Sequence, residues 1–190
     1  MTTLSEKFIS IFALMRDLTP SHYAAAPEQL KIINNFFPRK SKSLSRNFWK
    51  DVVEITEPRL LVITGHLYLD YILERYLANK INVTNDKKIQ YMGFKRKLEQ
   101  VDKHNELDDK LYKTLVALNN LRNRFSHDIF YRIEKWEAEE IPYISENKIQ
   151  KPKRKNLLIN FNICILKITF LATLIVLTEN EKWIHLENMK

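Results

Sequence analysis

The chain has 190 residues, of which 45% are hydrophobic, and it contains only 2 glycines and 6 prolines. This composition favours a packed helical domain, alone or with an appendage, over a disordered chain or a turn-rich β fold. Its 31 basic and 23 acidic residues give a formal net charge of +8, which favours a polyanionic or acidic partner over an inert basic surface. The single cysteine, Cys164, excludes an internal disulfide and indicates a reducing cytosol.

Residues 1–50 predict an N-terminal helical extension that ends in a basic loop. Apolar residues share one face over residues 5–18 and predict an amphipathic helix. A proline stands at the start of a second predicted helix, over residues 28–37. Residues 38–46 are basic and rich in serine, so we expect a loop or linker there.

Residues 51–190 predict a second, helical domain. The segment 59–80 is apolar around most of its girth, so we expect a long helix at the centre of a bundle. Residues 91–101 predict a short helix, and residues 105–125 predict a longer amphipathic one. Residues 141–155 contain a proline and a run of basic side chains, so we expect a loop.

The apolar stretch 157–177 is long enough to cross a membrane. Lys167 lies near its middle, where a charge is costly in hydrocarbon, so we expect the buried closing helix of a bundle instead. The N-terminal residues lack the pattern of a signal peptide, because Arg16 and Asp17 interrupt the apolar side chains. We therefore expect a cytoplasmic protein with no membrane partner.

The helix predicted over residues 105–125 ends in a cluster of polar side chains. Its leucines and Phe125 recur at steps of three and four and share one face, within which Arg122 projects. A guanidinium is costly to bury unless an anion or a hydrogen-bonded partner compensates. The uncharged polar side chains beside it are Asn119, Asn123, Ser126 and His127. This combination predicts a functional site.

The sequence Arg122-Asn123, three residues and then His127 resembles the motif of the HEPN superfamily, in which a short spacer separates an Arg from a His and Asn often follows the Arg. Gly93-Phe94-Lys95 is also similar to some bacterial HEPN families. The resemblance covers roughly residues 59–177 and implies a small bundle of helices. We therefore expect an all-α, HEPN-like helical bundle with an N-terminal helical extension.

Many HEPN domains are metal-independent endoribonucleases of toxin–antitoxin or phage-defence systems, and the resemblance implies the same activity here. The 2′-hydroxyl of RNA would attack the adjacent phosphate and leave a 2′,3′-cyclic phosphate and a 5′-hydroxyl. An imidazole suits the proton transfer, and a guanidinium can bind two phosphate oxygens at once. The resemblance assigns these roles to His127 and Arg122, with Asn123 orienting the histidine. No cofactor and no metal are expected, since no cluster has convincing metal-ligand spacing.

Arg122 and His127 lie roughly 140° apart around a straight helix, so one copy does not easily direct both at one phosphate. HEPN ribonucleases bring two motifs together across a two-fold axis, and the resemblance implies a homodimer that binds RNA. Two alternatives stay open. One is a non-catalytic HEPN-like module that binds nucleic acid, a nucleotide or a protein partner. The other is a structural helix end, at which His127 helps to cap the last carbonyls.

His66, Asp70 and Glu74 share one face of the predicted long helix. They fit an imidazole–carboxylate pair, a metal site or an acidic element near the RNA, but a solvated stripe or an internal salt bridge with Arg75 or a lysine is the favoured interpretation. Some HEPN domains place a polar residue from another helix near the motif. The candidate supporting or substrate contacts are therefore Ser126, Asn119, Arg124, His66 and Asp70.

Basic residues in 39–46 and 151–155, together with Arg124, either neutralise RNA phosphates or form ordinary solvated surface. An antitoxin protein is a candidate partner. Some HEPN toxins carry a tyrosine two residues after the motif histidine, where a nucleotidyltransferase antitoxin modifies it. This chain has Ile129 there, and its nearest tyrosine is Tyr131. That departure argues against this form of regulation.

Overall fold

The computed structural model describes residues 42–52, 54–81, 89–104, 107–136, 138–146 and 153–179. Within these ranges all regular secondary structure is helical, so the predicted all-α fold is confirmed. The helices predicted over residues 5–18 and 28–37 lie outside the described residues.

The described helices form a bundle around α2. They are α1 (Lys42–Val52), α2 (Pro58–Ile81), α3 (Phe94–Asp102), α4 (Asp109–His127), α5 (Pro142–Glu146) and α6 (Lys155–Glu179). Two short 3-10 helices, Ile133–Lys135 and Ala138–Glu140, lie between α4 and α5.

Helix α2 contacts α1, α3, α4 and α6, which confirms its predicted central position. Its start is well defined. Pro58 occupies the first helical position, where a missing backbone N–H costs nothing, and the Glu57 carboxylate accepts from the backbone N–H groups of Arg59 and Leu60. The side chains of Leu69 and Ile72 are fully buried. α2 therefore holds the other helices in place.

Gly65 allows α2 and α6 to approach each other closely. A Cβ atom at this position would lie 2.6 Å from ring carbons of Phe170, whose side chain is fully buried. We expect Gly65→Ala to lower the free energy of unfolding by about 1–3 kcal/mol, because overpacking outweighs the better helix propensity of alanine. Urea denaturation measures the change. In a Gly65→Ala/Phe170→Leu double variant the smaller side chain should recover part of the loss, and purely additive losses would contradict the contact.

The loop predicted over residues 38–46 is wrong from residue 42 onward, because α1 begins at Lys42. The side chains of Phe48, Trp49 and Val52 are buried where α1 packs against α2 and α6. Most helical stability in proteins comes from such packing and not from intrinsic propensity, so the two serines and the lysine of the first turn do not prevent the helix. The boundary predicted at residue 50 falls inside α1.

The loop predicted over residues 141–155 is wrong at its start, where Pro142–Glu146 form α5. Ile141 and Ile144 are buried, and this burial holds the short helix against the bundle. Residues 147–152 lie outside the described part of the chain.

Helix α6 is the buried closing helix that the sequence predicts. By length and composition alone, Leu158–Thr178 could cross a membrane, but 83% of its most apolar part is buried inside the protein. Its polar side chains bond internally: the hydroxyls of Thr169 and Thr173 donate to carbonyls one turn earlier, and Asn162 donates to the Ile133 carbonyl at 2.9 Å. The cytoplasmic location stays a prediction.

Candidate functional site

A cleft of about 460 Å³ lies where α2, α3 and α4 meet. Helix α4, which supplies one wall, begins at Asp109 and not at residue 105, because the carboxylate of Asp108 caps it by accepting from the Leu111 N–H at 2.7 Å. The cleft gathers residues that the sequence singles out from two separate helices. They are Asn119, Arg122 and Asn123 from α4, and His66 and Asp70 from α2.

Arg122 is half-buried on the α4 wall of the cleft. Its Nη1 atom donates to Oδ1 of Asn123 at 3.2 Å. No carboxylate of the described residues lies within ion-pair distance of its guanidinium. A hydrogen bond to a neutral amide does not balance a full positive charge, so the charge of Arg122 is available to an anionic ligand.

His66 faces the same cleft from α2 and is only 7% exposed. Its Nε2 lies 3.1 Å from Oδ1 of Asn119, and its ring packs against Phe94 with centroids 4.3 Å apart. An amide oxygen can only accept, so Nε2 carries the proton. Burial lowers the pKa of His66; the bond to Asn119 opposes this, and the charge of Arg122 lowers the pKa further. His66 is therefore a fixed, neutral link between α2 and α4.

Asp70 and Glu74 bind a lysine from α3. The Nζ of Lys97, which is 1% exposed, lies 2.9 Å from Asp70 Oδ2 and 3.0 Å from Glu74 Oε2. The internal salt bridge favoured from sequence is thus present, with Lys97 and not Arg75 as the cation. An ammonium group sits where the alternative metal site would need an ion, and the described residues contain no group of three metal-ligating side chains. Asp70 therefore serves first to anchor α3.

His127 is the last residue of α4 and does not line the cleft. Its side chain is exposed, and its imidazole makes no hydrogen bond to any described residue. The capping role considered for it belongs to Arg59 of α2. The guanidinium of Arg59 donates to the carbonyl oxygens of Phe125, Asp128 and Ile129. His127 is thus free to meet a ligand or another protein surface.

Sequence reasoning missed Arg59. The bond from Arg59 to the Phe125 carbonyl joins residues 66 positions apart in the sequence. The local sequence shows only a basic side chain in the first turn of α2, which does not indicate this role. Arg59 also lies over the ring of Phe125, with its Cζ 5.6 Å from the centroid. The start of α2 therefore fixes the end of α4, the helix that carries Arg122, Asn123 and His127.

Two other predicted contacts stand apart from the cleft. Arg124 forms an ion pair with Glu140 at 3.0 Å, so its charge is already matched within the chain. Ser126 is exposed near the end of α4. Of the basic segments, Lys153 and Arg154 are exposed, whereas residues 38–41 and 151–152 lie outside the described ranges.

Four exposed apolar side chains form a stripe along α2, called here the α2 stripe: Leu60, Ile63, Leu67 and Tyr71. Their spacing of three and four places them on one helix face. Leu67, 63% exposed, also lines the cleft. At the other end of the stripe, Arg59 bonds the carbonyl of Ile129, which precedes the 75% exposed Phe130. The stripe therefore runs from the Arg122 cleft to the end of α4 that carries His127.

Comparison of the chain with protein-family models, with curated proteins and with solved structures finds no match.

Proposed function

We propose that this protein is a homodimeric, metal-independent endoribonuclease of the HEPN type, acting in the cytoplasm as a toxin or phage-defence effector. RNA is its substrate, and an antitoxin protein is a candidate partner. The observation that carries the proposal is the half-buried guanidinium of Arg122, which lines a cleft and has no carboxylate partner among the described residues. The resemblance of Arg122, Asn123 and His127 to the HEPN motif supplies the reaction.

In the proposed reaction the 2′-oxygen of RNA bonds to the adjacent phosphorus as the bond to the 5′-oxygen breaks. The 2′-hydroxyl loses a proton and the departing 5′-oxygen gains one. His127 transfers one of these protons, since an imidazole can both accept and donate near neutral pH. Arg122 binds the phosphate oxygens, on which negative charge increases in the transition state. Asn123 accepts a hydrogen bond from Arg122 at 3.2 Å, so in this structure it orients the guanidinium.

A second copy of the chain completes the site. Arg122 faces the cleft while His127 lies outside it, roughly 140° further around α4. A two-fold dimer brings His127 of one copy towards Arg122 of the other. The α2 stripe, with Ile129 and Phe130, is the exposed apolar surface that joins these two positions, and such a surface is typical of a protein interface. We propose that this stripe packs against the second copy.

The second candidate function is that of a non-catalytic module that binds an anionic ligand. The structure offers it one specific observation: within one copy, Arg122 shares its cleft with two amides and with the buried His66, whose Nε2 is bonded to Asn119, while His127 lies outside the cleft. In this function His127 has no role, so substitution of His127 separates the two proposals.

Metal chelation and a deoxy substrate test the proposed chemistry. We expect purified protein to cleave single-stranded RNA in the presence of EDTA and to leave a 2′,3′-cyclic phosphate, because the nucleophile is the 2′-hydroxyl of the RNA and the phosphate charge is met by Arg122. A single 2′-deoxy substitution at the mapped cleavage position should block cleavage there while neighbouring sites are still cut. Mass spectrometry of the products measures both effects. Activity that is lost on chelation and restored by Mg²⁺ or Mn²⁺ would refute the mechanism.

A further inference from the structure

The start of α3 forms one wall of the cleft, and three positive side chains line the cleft. Lys95 and Arg96 of α3 line the cleft together with Arg122 of α4. Both α3 side chains are exposed, and Lys95 reaches the carboxylate of Glu99 only at 4.0 Å, with its own side chain 81% exposed. Such a pair contributes little, so the charge of Lys95 stays available. Asp70, the carboxylate in the cleft, shares the ammonium group of Lys97 with Glu74, so one negative charge of this cluster stands against the three positive charges.

The backbone at the start of α3 adds uncompensated donors to this wall. Gly93 is the N-cap residue and supplies no side-chain hydrogen bond, and the first turn contains no acidic residue. The Lys97 N–H is the first to bond within the helix, to the Gly93 carbonyl at 3.1 Å. The preceding N–H groups of the first turn, including those of Lys95 and Arg96, meet no acceptor among the described residues. The positive end of the helix therefore points to the same space as the three cations.

The glycine at position 93 is not required by the fold. Its φ of −65° and ψ of 152° suit any residue, and an added Cβ would meet nothing within 4 Å. Gly93 lines the cleft, so a larger residue would occupy the cleft and cover the backbone donors. The absence of a side chain at Gly93 keeps the α3 wall open.

We propose that the α3 wall of the cleft, formed by Gly93, Lys95 and Arg96, binds a second phosphate of the RNA, next to the phosphate that is cleaved at Arg122. This inference rests on the proposed function and extends it. The RNA chain then runs from Arg122 to the start of α3. The phosphate that is cleaved is bound by α4, and the second phosphate is bound by α3. The amides of Asn119 and Asn123 lie in the same cleft and suit contacts to the sugar or base between them.

Substitution of Gly93 by aspartate tests the site, because it should weaken RNA binding without lowering the stability of the protein. An aspartate at an N-cap bonds the free N–H groups of the first turn, so Gly93→Asp should keep or raise the melting temperature. The same carboxylate occupies the proposed phosphate position and repels the ligand. We expect roughly tenfold weaker binding of a fluorescent single-stranded RNA tetranucleotide, the factor for loss of a charge-assisted contact. The slope of log affinity against log salt should fall by about 0.7.

The binding measurement uses fluorescence anisotropy in a His127→Ala background, so that the RNA is not cut. Gln90→Glu is the matched control, because it adds the same charge at an exposed position that does not line the cleft. Weaker binding by Gly93→Asp than by Gln90→Glu, at equal or higher stability, supports the phosphate site. Equal binding by the two variants overturns it while the ribonuclease proposal stands. Absence of RNA binding by the His127→Ala parent overturns both.

Discussion

Replacement of His127 by alanine should reduce RNA cleavage by a factor of about 10²–10⁴, the usual contribution of a positioned acid or base, and should remove any growth toxicity. The loss should leave the protein folded. His127 is exposed at the end of α4 and bonds no described residue through its ring, and Arg59 holds the helix end in its place. Surface substitutions of this kind usually change stability by no more than about 0.5 kcal/mol. Initial rates on a labelled RNA, with melting temperatures on the same samples, measure both quantities.

His104→Ala is the matched control for this experiment, since His104 is also exposed but lies beyond the end of α3 and outside the cleft. It should cleave at the wild-type rate. If His127→Ala cleaves as fast as His104→Ala, His127 is not the catalytic histidine. His66 would then be the remaining candidate, because it shares a cleft with Arg122 within one copy.

A helix could be predicted from the sequence where its apolar residues form one continuous pattern. The segment around α2 is apolar on most sides, and the structure places it against four other helices. Helix α1 could not be predicted, because its first turn has the composition of a loop and its stability comes from burying Phe48 and Trp49. A sequence pattern reports which face of a segment is apolar, but it does not report which other segment will cover that face.

The candidate site shows the same limit. Arg122, Asn119 and Asn123 could be grouped from spacing alone, because they lie on neighbouring turns of one helix. The partners from other helices could not be identified by spacing. Arg59, which caps α4, and Lys97, which bridges Asp70 and Glu74, are distant in sequence from the groups that they bind. From the sequence, the carboxylates of α2 fit either a solvated stripe or an internal salt bridge, and only the packing of α3 shows that Lys97 binds them.

Arg122→Ala should reduce cleavage by an amount equivalent to about 2–4 kcal/mol of transition-state stabilisation, the scale for one preorganised donor. Its guanidinium has no carboxylate partner among the described residues, so its removal leaves no buried anion without a partner. Arg122→Lys should restore little, because an ammonium group cannot make a bidentate contact with phosphate oxygens. If each site takes Arg122 from one copy and His127 from the other, the two inactive single variants should complement each other.

Mixing Arg122→Ala with His127→Ala protein should restore about a quarter of the wild-type activity, because free exchange makes half of the dimers mixed and each mixed dimer contains one complete site of two. The control is a mixture of Arg122→Ala with an Arg122→Ala/His127→Ala double variant, in which no complete site can form. A charge in the α2 stripe, as in Leu60→Glu, should abolish the recovery by preventing the second copy from packing there, since Leu60 is 52% exposed and does not line the cleft. If light scattering shows a monomer at micromolar concentration, or if the mixture stays as inactive as its control, Arg122 and His127 do not act across two copies. The Arg122 cleft of a single copy, with neutral His66 and the cationic start of α3, would then be a binding site for an anion, and the non-catalytic module would be the better description of the protein.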